Sequence, residues 1–128
     1  MNVNKLSEYI GAEISQLDLG NLSSTEIKEV KQAWLTHKVL VFRNQNISTD
    51  NHINFGRYFG ELEIHPFADN LEAYPEVILL EAGGDSIRQE YKAAEDWHID
   101  VSFREKPPMG SILRGKVIPE TGGDTLFS

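Results

Sequence analysis

The 128-residue sequence contains no cysteine. Disulfide bonds, thiolate zinc sites and cysteine nucleophiles are therefore excluded. Any metal ion that this chain holds must be bound through nitrogen and oxygen ligands. Such ligands suit iron, manganese or zinc in an open catalytic site.

Basic charge is also scarce, because 12 Lys and Arg residues stand against 20 Asp and Glu residues and the net charge is −8. Nucleic acids and anionic membranes are recognised through clustered Lys and Arg, so neither is expected as a partner. Long apolar runs are missing too, and Met1–Lys5 does not begin a signal peptide. We therefore expect no membrane span and a cytoplasmic location.

Local patterns in the first 60 residues predict two strands and two helices. Alternating apolar positions predict a strand within residues 9–19, and the β-branched and aromatic run at residues 38–43 predicts a buried strand. Between them, Ser23 and Glu26 have the spacing of a capping box at the start of a helix. A second short helix is predicted over residues 48–60.

The rest of the chain has the pattern of strands joined by turns, so the order along the whole chain is helices first and strands later, without βαβ alternation. This order favours an antiparallel sheet with helices at one end. Where the first helix meets that sheet, Trp34, Leu40 and Phe42 are predicted to be buried. The predicted later elements are strands at residues 77–82, at 109–118 and from Thr125, a turn at 83–85 and a loop through 88–92.

The segment DWHID, residues 96–100, contains the candidate chemistry. On a strand, residues two apart point to the same face, so the imidazole of His98 and the carboxylate of Asp100 are predicted to converge on one cavity. With a second, distant histidine they would form a facial triad for a metal ion. The alternative is structural: His98 bonded to a local carbonyl and Asp100 capping a turn.

Four segments of the chain, taken in order, resemble the iron(II)- and 2-oxoglutarate-dependent dioxygenases of the taurine dioxygenase (TauD/TfdA) family. They are IGAEISQLDL, LTHKVLVFRNQNIS, FGRYFGELEIHPF and WHIDVSFREKPPMGSILRGKVIPETGGDTLFS. The resemblance implies an α+β, mostly β fold, a double-stranded β-helix (jelly roll, clavaminate synthase-like) with N-terminal helices. It also implies that residues 1–128 are the N-terminal portion of a single such domain, so that the chain is truncated.

The resemblance assigns roles to four residues. His98 and Asp100 match the family's first two iron ligands, and Thr125 matches a hydroxyl that helps to hold the far carboxylate of 2-oxoglutarate. His65, in EIHPF, matches a histidine that contacts the substrate's anionic group in the taurine enzyme. The distal histidine ligand and the arginine that pairs with 2-oxoglutarate have no counterpart in this chain.

The sequence also departs from the taurine enzyme. Ala68 and Ala94 stand where that enzyme has a tyrosine and an asparagine, which puts taurine itself in doubt as the substrate. His37 and His52 match no functional position and are interpreted as structural.

The expected activity is hydroxylation of a small, anionic, sulfonate- or carboxylate-like molecule, with release of succinate and CO2. The cofactors implied are Fe(II) and 2-oxoglutarate as cosubstrate, the partners are the small-molecule substrate and O2, and a homo-oligomer is left open. One alternative is a non-catalytic β-fold module or inactive fragment with a vestigial metal site. A zinc hydrolase is a weaker alternative, because its usual clusters contain more histidine than this chain supplies near His98.

Overall fold

The computed structural model describes residues 1–66, 70–80, 96–122 and 124–128. The chain divides into two compact units. The first unit comprises Met1–Glu61 and Arg114–Ser128, and the second comprises Leu62–Leu113.

A three-stranded sheet forms the centre of the first unit, in the order β1 (Asn2–Lys5), β2 (Ala12–Ser15) and β3 (Leu40–Phe42). Strands β1 and β2 are antiparallel, whereas β2 and β3 are parallel and joined by helix α1 (Ser24–His37). This is a βαβ crossover, so the expectation of a sheet without βαβ alternation is wrong. Strands of three or four residues contain too few alternating positions to reveal their direction in the sequence.

Helix α1 begins where the capping box predicts. The Ser23 hydroxyl accepts from the Glu26 N–H at 3.3 Å, and the Glu26 carboxylate accepts from the Ser23 N–H at 2.8 Å. The helix ends at His37; the next residue, Lys38, still donates its N–H to the Trp34 carbonyl at 2.7 Å, but its positive φ of 66° takes the chain out of the helix. Both ends of the helix are therefore determined by local hydrogen bonds.

Helix α2 (Thr49–Arg57) has a second capping box, formed by Ser48 and Asn51. The predicted helix extended to Gly60, but α2 ends at Arg57. The next two residues, Tyr58 and Phe59, donate instead to carbonyls three residues back, at 3.3 and 2.9 Å. The last turn is thus tighter than an α-helical turn.

The buried hydrophobic residues of the first unit include a contact cluster of Leu19, Val30, Ile47 and Phe55. Trp34, Leu40 and Phe42, predicted to be buried, are each only half-buried. The Trp34 ring meets Phe59 edge-to-face with centroids 5.4 Å apart. Partly buried side chains of Met1, Leu17, Leu22, Leu40, Phe42 and Phe59 pack against the four core residues.

The second unit contains a two-stranded antiparallel ladder of β4 (Asn70–Leu71) and β5 (Tyr74–Ile78). The strand predicted at 77–82 is found instead as β5 at Tyr74–Ile78, closer to the N-terminus. Pairing with β4 determines the limits of β5, and the apolar Leu79 and Leu80 lie past its end. Residues 81–82, the predicted turn at 83–85 and the predicted loop at 88–92 lie outside the described residues.

The strands predicted at residues 109–118 and from Thr125 are wrong for this structure, since neither 96–122 nor 124–128 contains a strand. Alternating apolar residues favour a strand, but a strand forms only where another strand supplies its hydrogen bonds. The two sheets seen here do not by themselves build the expected double-stranded β-helix. Over the part of the chain that the structure describes, no helix has both the length and the apolar character to cross a membrane.

Candidate functional site

The DWHID segment lies in the second unit and is not a strand, so the strand placement predicted for His98 and Asp100 is wrong. The chain turns at Asp100 instead. Val101 adopts a left-handed backbone with φ 52°, an unfavourable conformation for a β-branched residue. The turn continues with N–H to carbonyl bonds from Ser102 to Ile99 (3.4 Å) and from Arg104 to Val101 (3.2 Å).

The side chains of His98 and Asp100 nevertheless meet, with His98 Nε2 at 3.2 Å from Asp100 Oδ1. Two ligand atoms at right angles, each about 2.1 Å from an ion, lie about 3 Å apart. The observed separation therefore matches that of two adjacent ligands of a six-coordinate metal ion. The side chains are 49% and 52% exposed, so both atoms are accessible to an ion from solution.

The other ring nitrogen of His98 is held by the main chain, because Nδ1 lies 2.7 Å from the Asp96 carbonyl oxygen. When Nδ1 donates there, Nε2 of a neutral imidazole has a lone pair directed toward Asp100. This arrangement of a backbone carbonyl behind the ring is typical of metal-binding histidines.

Without an ion, both nitrogens of His98 face oxygen acceptors, and only the protonated ring can donate to both. The hydrogen bond to the Asp96 carbonyl, and then the charge of Asp100, raise the pKa of His98 above its ordinary value. A proton would therefore compete with any metal ion for Nε2.

Asp100 has a further partner that the sequence did not indicate. The Ser111 hydroxyl donates to Asp100 Oδ2 at 2.7 Å, so each carboxylate oxygen has its own neighbour. The two residues are 11 positions apart and belong to no periodic pattern. No motif could have identified this contact, or the one made by the Asp96 carbonyl.

Among the described residues, no third protein ligand lies beside this pair. Within residues 1–66, 70–80, 96–122 and 124–128, no group of three or more His, Cys, Asp or Glu side chains has a metal-binding arrangement. A shallow depression in the same unit is lined by Phe103, Arg104, Glu105 and Lys106, and does not include His98 or Asp100.

The remaining predicted site residues lie in different units. His65 is half-buried in the second unit, and its carbonyl accepts a hydrogen bond from Asn70 Nδ2 at 3.0 Å. Thr125 is exposed in the first unit, in a segment without regular structure. Ala68 and Ala94, the two departures from the taurine enzyme, lie outside the described residues.

Residues 2–128 match a family model described as "Taurine catabolism dioxygenase TauD, TfdA family". The chain is 36% identical to an alkylsulfatase of Acinetobacter baylyi, a match that covers 100% of this chain and 39% of that protein. It is 30% identical to an alpha-ketoglutarate-dependent sulfonate dioxygenase of Saccharomyces cerevisiae, covering 100% of this chain and 33% of that one. The chain thus spans 39% and 33% of the lengths of these two curated relatives.

A solved structure of a taurine dioxygenase from Burkholderia xenovorans is similar to the structure of this chain. The match has a TM-score of 0.57 and 33% identity, and covers 62% of this chain and 31% of that chain. The matched part therefore shares its fold with the corresponding part of that dioxygenase.

Proposed function

Because the chain belongs to the TauD/TfdA family of dioxygenases, we propose that the protein is an Fe(II)- and 2-oxoglutarate-dependent dioxygenase. The reaction is hydroxylation of a small, anionic organic molecule, with release of succinate and CO2. The sulfonate dioxygenase and the alkylsulfatase among its relatives support a sulfonate- or sulfate-bearing substrate, and a carboxylate is the related option. The single observation that carries the proposal is the 3.2 Å contact between His98 Nε2 and Asp100 Oδ1.

The donor set fits Fe(II). One imidazole and one carboxylate, with no thiolate in the sequence, are the ligand types of non-haem iron sites with open positions. A bound Fe(II) would supply the place where dioxygen oxidises 2-oxoglutarate and a substrate C–H bond is hydroxylated. His98 and Asp100 would hold this ion, while the Asp96 carbonyl keeps the imidazole in the required tautomer. An intact carboxylate at Asp100 favours hydroxylation over halogenation, since halogenating relatives have a small residue there.

Two further residues have proposed roles in binding. The Thr125 hydroxyl donates to the far carboxylate of 2-oxoglutarate, and His65 contacts the anionic group of the substrate. Both assignments rest on the matched motifs GGDTL and EIHPF rather than on a contact in the structure.

The domain assignment remains a proposal as well. Residues 1–128 form the N-terminal portion of one jelly-roll dioxygenase domain, in agreement with the fraction of its relatives that the chain spans. On this proposal the third metal ligand and the arginine partner of 2-oxoglutarate are not among these residues. The isolated chain should therefore bind Fe(II) weakly and release no succinate.

Anaerobic titration of the chain with Fe(II), with and without 2-oxoglutarate, tests the proposal. His98→Ala and Asp100→Ala should each weaken binding by at least about 100-fold, the upper end of the effect of losing an outer-shell partner. 2-Oxoglutarate should tighten binding to the unmodified chain, because it chelates the same ion. His37→Ala, on helix α1, is the matched control and should bind as the unmodified chain does.

Fe(II) affinity that neither the His98 nor the Asp100 variant changes would contradict the assigned site. It would favour a non-catalytic module instead. Iron-dependent succinate release by the chain alone, abolished by His98→Ala, would keep the activity but overturn the domain assignment, since a third ligand would then be present.

A further inference from the structure

We infer that Ser111 is a positioning residue for the metal-binding carboxylate, holding Asp100 Oδ2 so that Oδ1 alone faces the metal position beside His98. This inference rests on the proposed metal site and adds to it a residue that no motif identifies. Its basis is the pair of contacts on the one carboxylate: Ser111 Oγ on Oδ2 at 2.7 Å and His98 Nε2 near Oδ1 at 3.2 Å.

The direction of the Ser111 bond follows from the chemistry of its partners. An ionised carboxylate only accepts hydrogen bonds, so the hydroxyl of Ser111 must be the donor. A hydroxyl bonded to a charged oxygen makes a short, charge-assisted bond, and 2.7 Å lies in the range of such bonds. Oδ2 of Asp100 is therefore engaged before any ion arrives.

This engagement determines how Asp100 can bind a metal ion. A carboxylate can use one oxygen or both, and the second mode occupies an additional coordination position. A facial triad works because its three protein ligands leave the remaining positions open for cosubstrate and dioxygen. By occupying Oδ2, Ser111 favours binding through Oδ1 only and so keeps one of these positions open.

The bond also restricts the geometry of an otherwise exposed site. Asp100 is half-exposed and lies at a turn, so its carboxylate has few neighbours to limit its rotation. Ser111 limits it from across a loop that contains Pro107 and Pro108, whose rings restrict the backbone between the two partners. Without the hydroxyl, Asp100 Oδ2 would turn toward water or toward the ion.

Binding of Co(II), monitored through its visible absorption, tests this inference without turnover. Ser111→Ala should weaken Co(II) binding about tenfold, the lower end of the effect of an outer-shell partner. It should also alter the Co(II) absorption spectrum, because a second carboxylate oxygen enters the coordination sphere. Ser111→Thr, which keeps the hydroxyl, should restore both affinity and spectrum.

Ser102→Ala is the matched control, since Ser102 is an exposed serine of the same segment outside the His98–Asp100–Ser111 chain of contacts. It should leave the Co(II) affinity and spectrum unchanged. Far-ultraviolet circular dichroism of each variant verifies that the fold is retained.

The outcomes separate the two proposals. If His98→Ala abolishes Co(II) binding while Ser111→Ala matches the unmodified chain in affinity and spectrum, the inference about Ser111 is wrong and the metal site stands. If His98→Ala leaves Co(II) binding unchanged, the metal site itself is wrong.

Discussion

Residues 1–61 and residues 62–113 are held together by different kinds of interaction. The first region has a three-stranded sheet, two capped helices and a cluster of buried apolar side chains. In the second, the described residues form one two-stranded ladder, and the contacts around the candidate site are polar and half-exposed. Every buried hydrophobic residue of the described chain lies between Ala12 and Phe55.

The first region therefore provides most of the stability, and the second region contains the candidate site. Burial of apolar surface is the main source of folding free energy, and it is concentrated in the first region. The candidate site depends instead on hydrogen bonds within and near a turn. Such segments open most readily, and ligands that bind them add to their stability. Substitutions in the first region should therefore change unfolding, whereas substitutions at the site should change metal binding.

The largest expected effect tests this contrast directly. Phe55 is 4% exposed and packs edge-to-face against Phe42 and Phe59, so Phe55→Ala should cost about 3–5 kcal/mol of unfolding free energy. Trp97 precedes His98 in the second region and is 72% exposed. Trp97→Ala should therefore change the unfolding free energy by no more than about 0.5 kcal/mol. Urea unfolding of both variants measures the difference, and equal losses would contradict the contrast.

Trp34→Ala should have a smaller effect than Phe55→Ala. The ring is only half-buried, so the loss of unfolding free energy should be roughly 2 kcal/mol, below the range for a fully buried aromatic residue. Part of this loss is the edge-to-face contact with Phe59, worth about 0.5–1.5 kcal/mol. Trp34→Phe, which retains a ring, should recover part of it in the same urea assay. A loss as large as that of Phe55→Ala would mean that Trp34 belongs to the core.

Trp34 also illustrates how far the sequence predicts the fold. Helix α1 was predicted well because its signals are local: Ser23 and Glu26 at the start and apolar residues at helical spacing. The burial of Trp34 was overestimated because periodicity identifies the apolar face of a helix but not the centre of the packed cluster. That centre depends on side chains far away in the sequence, such as Leu19 and Ile47.

Strand predictions failed where the pairing partner is distant. The run at 109–118 has strand-forming residues, yet it pairs with no other strand in the described part of the chain. Asn2–Lys5 has little apolar character, yet it pairs with β2. At the site, the spacing of His98 and Asp100 predicted that the two side chains would meet, and they do, but not for the predicted reason. A turn, not a strand, brings the two side chains together, and the Ser111 contact has no sequence signal at all.

The pH dependence of metal binding should be specific to the site in the second region. The pKa of His98 is raised above its ordinary value of 6.5, first by its bond to the Asp96 carbonyl and then by Asp100. As the pH falls, protonation of His98 should therefore begin to compete with metal binding while the pH is still above 6.5. Co(II) affinity should be constant above the raised pKa and fall about tenfold per pH unit below it. Asp100→Asn should bind more weakly throughout, and its decline should begin at lower pH because the carboxylate's charge is removed. Titrations between about pH 8 and about pH 5.5 measure both effects, and a pH-independent affinity would contradict the prediction.

The smallest effect concerns the two capping boxes of the first region, which differ in one respect. The partner of Ser23 is the titratable Glu26, whereas the partner of Ser48 is Asn51. The hydroxyl and the backbone N–H of Ser23 lower the pKa of Glu26 below its ordinary value of 4.5. The ionised carboxylate therefore stabilises the fold fully at a pH above 4.5, and this stabilisation is lost as the pH falls through the lowered pKa.

Ser23→Ala and Ser48→Ala should each cost about 0.5–2 kcal/mol at neutral pH. In acid, the cost of Ser23→Ala should shrink as Glu26 becomes protonated, while that of Ser48→Ala should stay constant because Asn51 does not titrate. Urea unfolding of both variants at about pH 7 and at about pH 3 measures the two costs. Parallel changes in both variants would show that the Glu26 carboxylate adds nothing beyond a neutral cap.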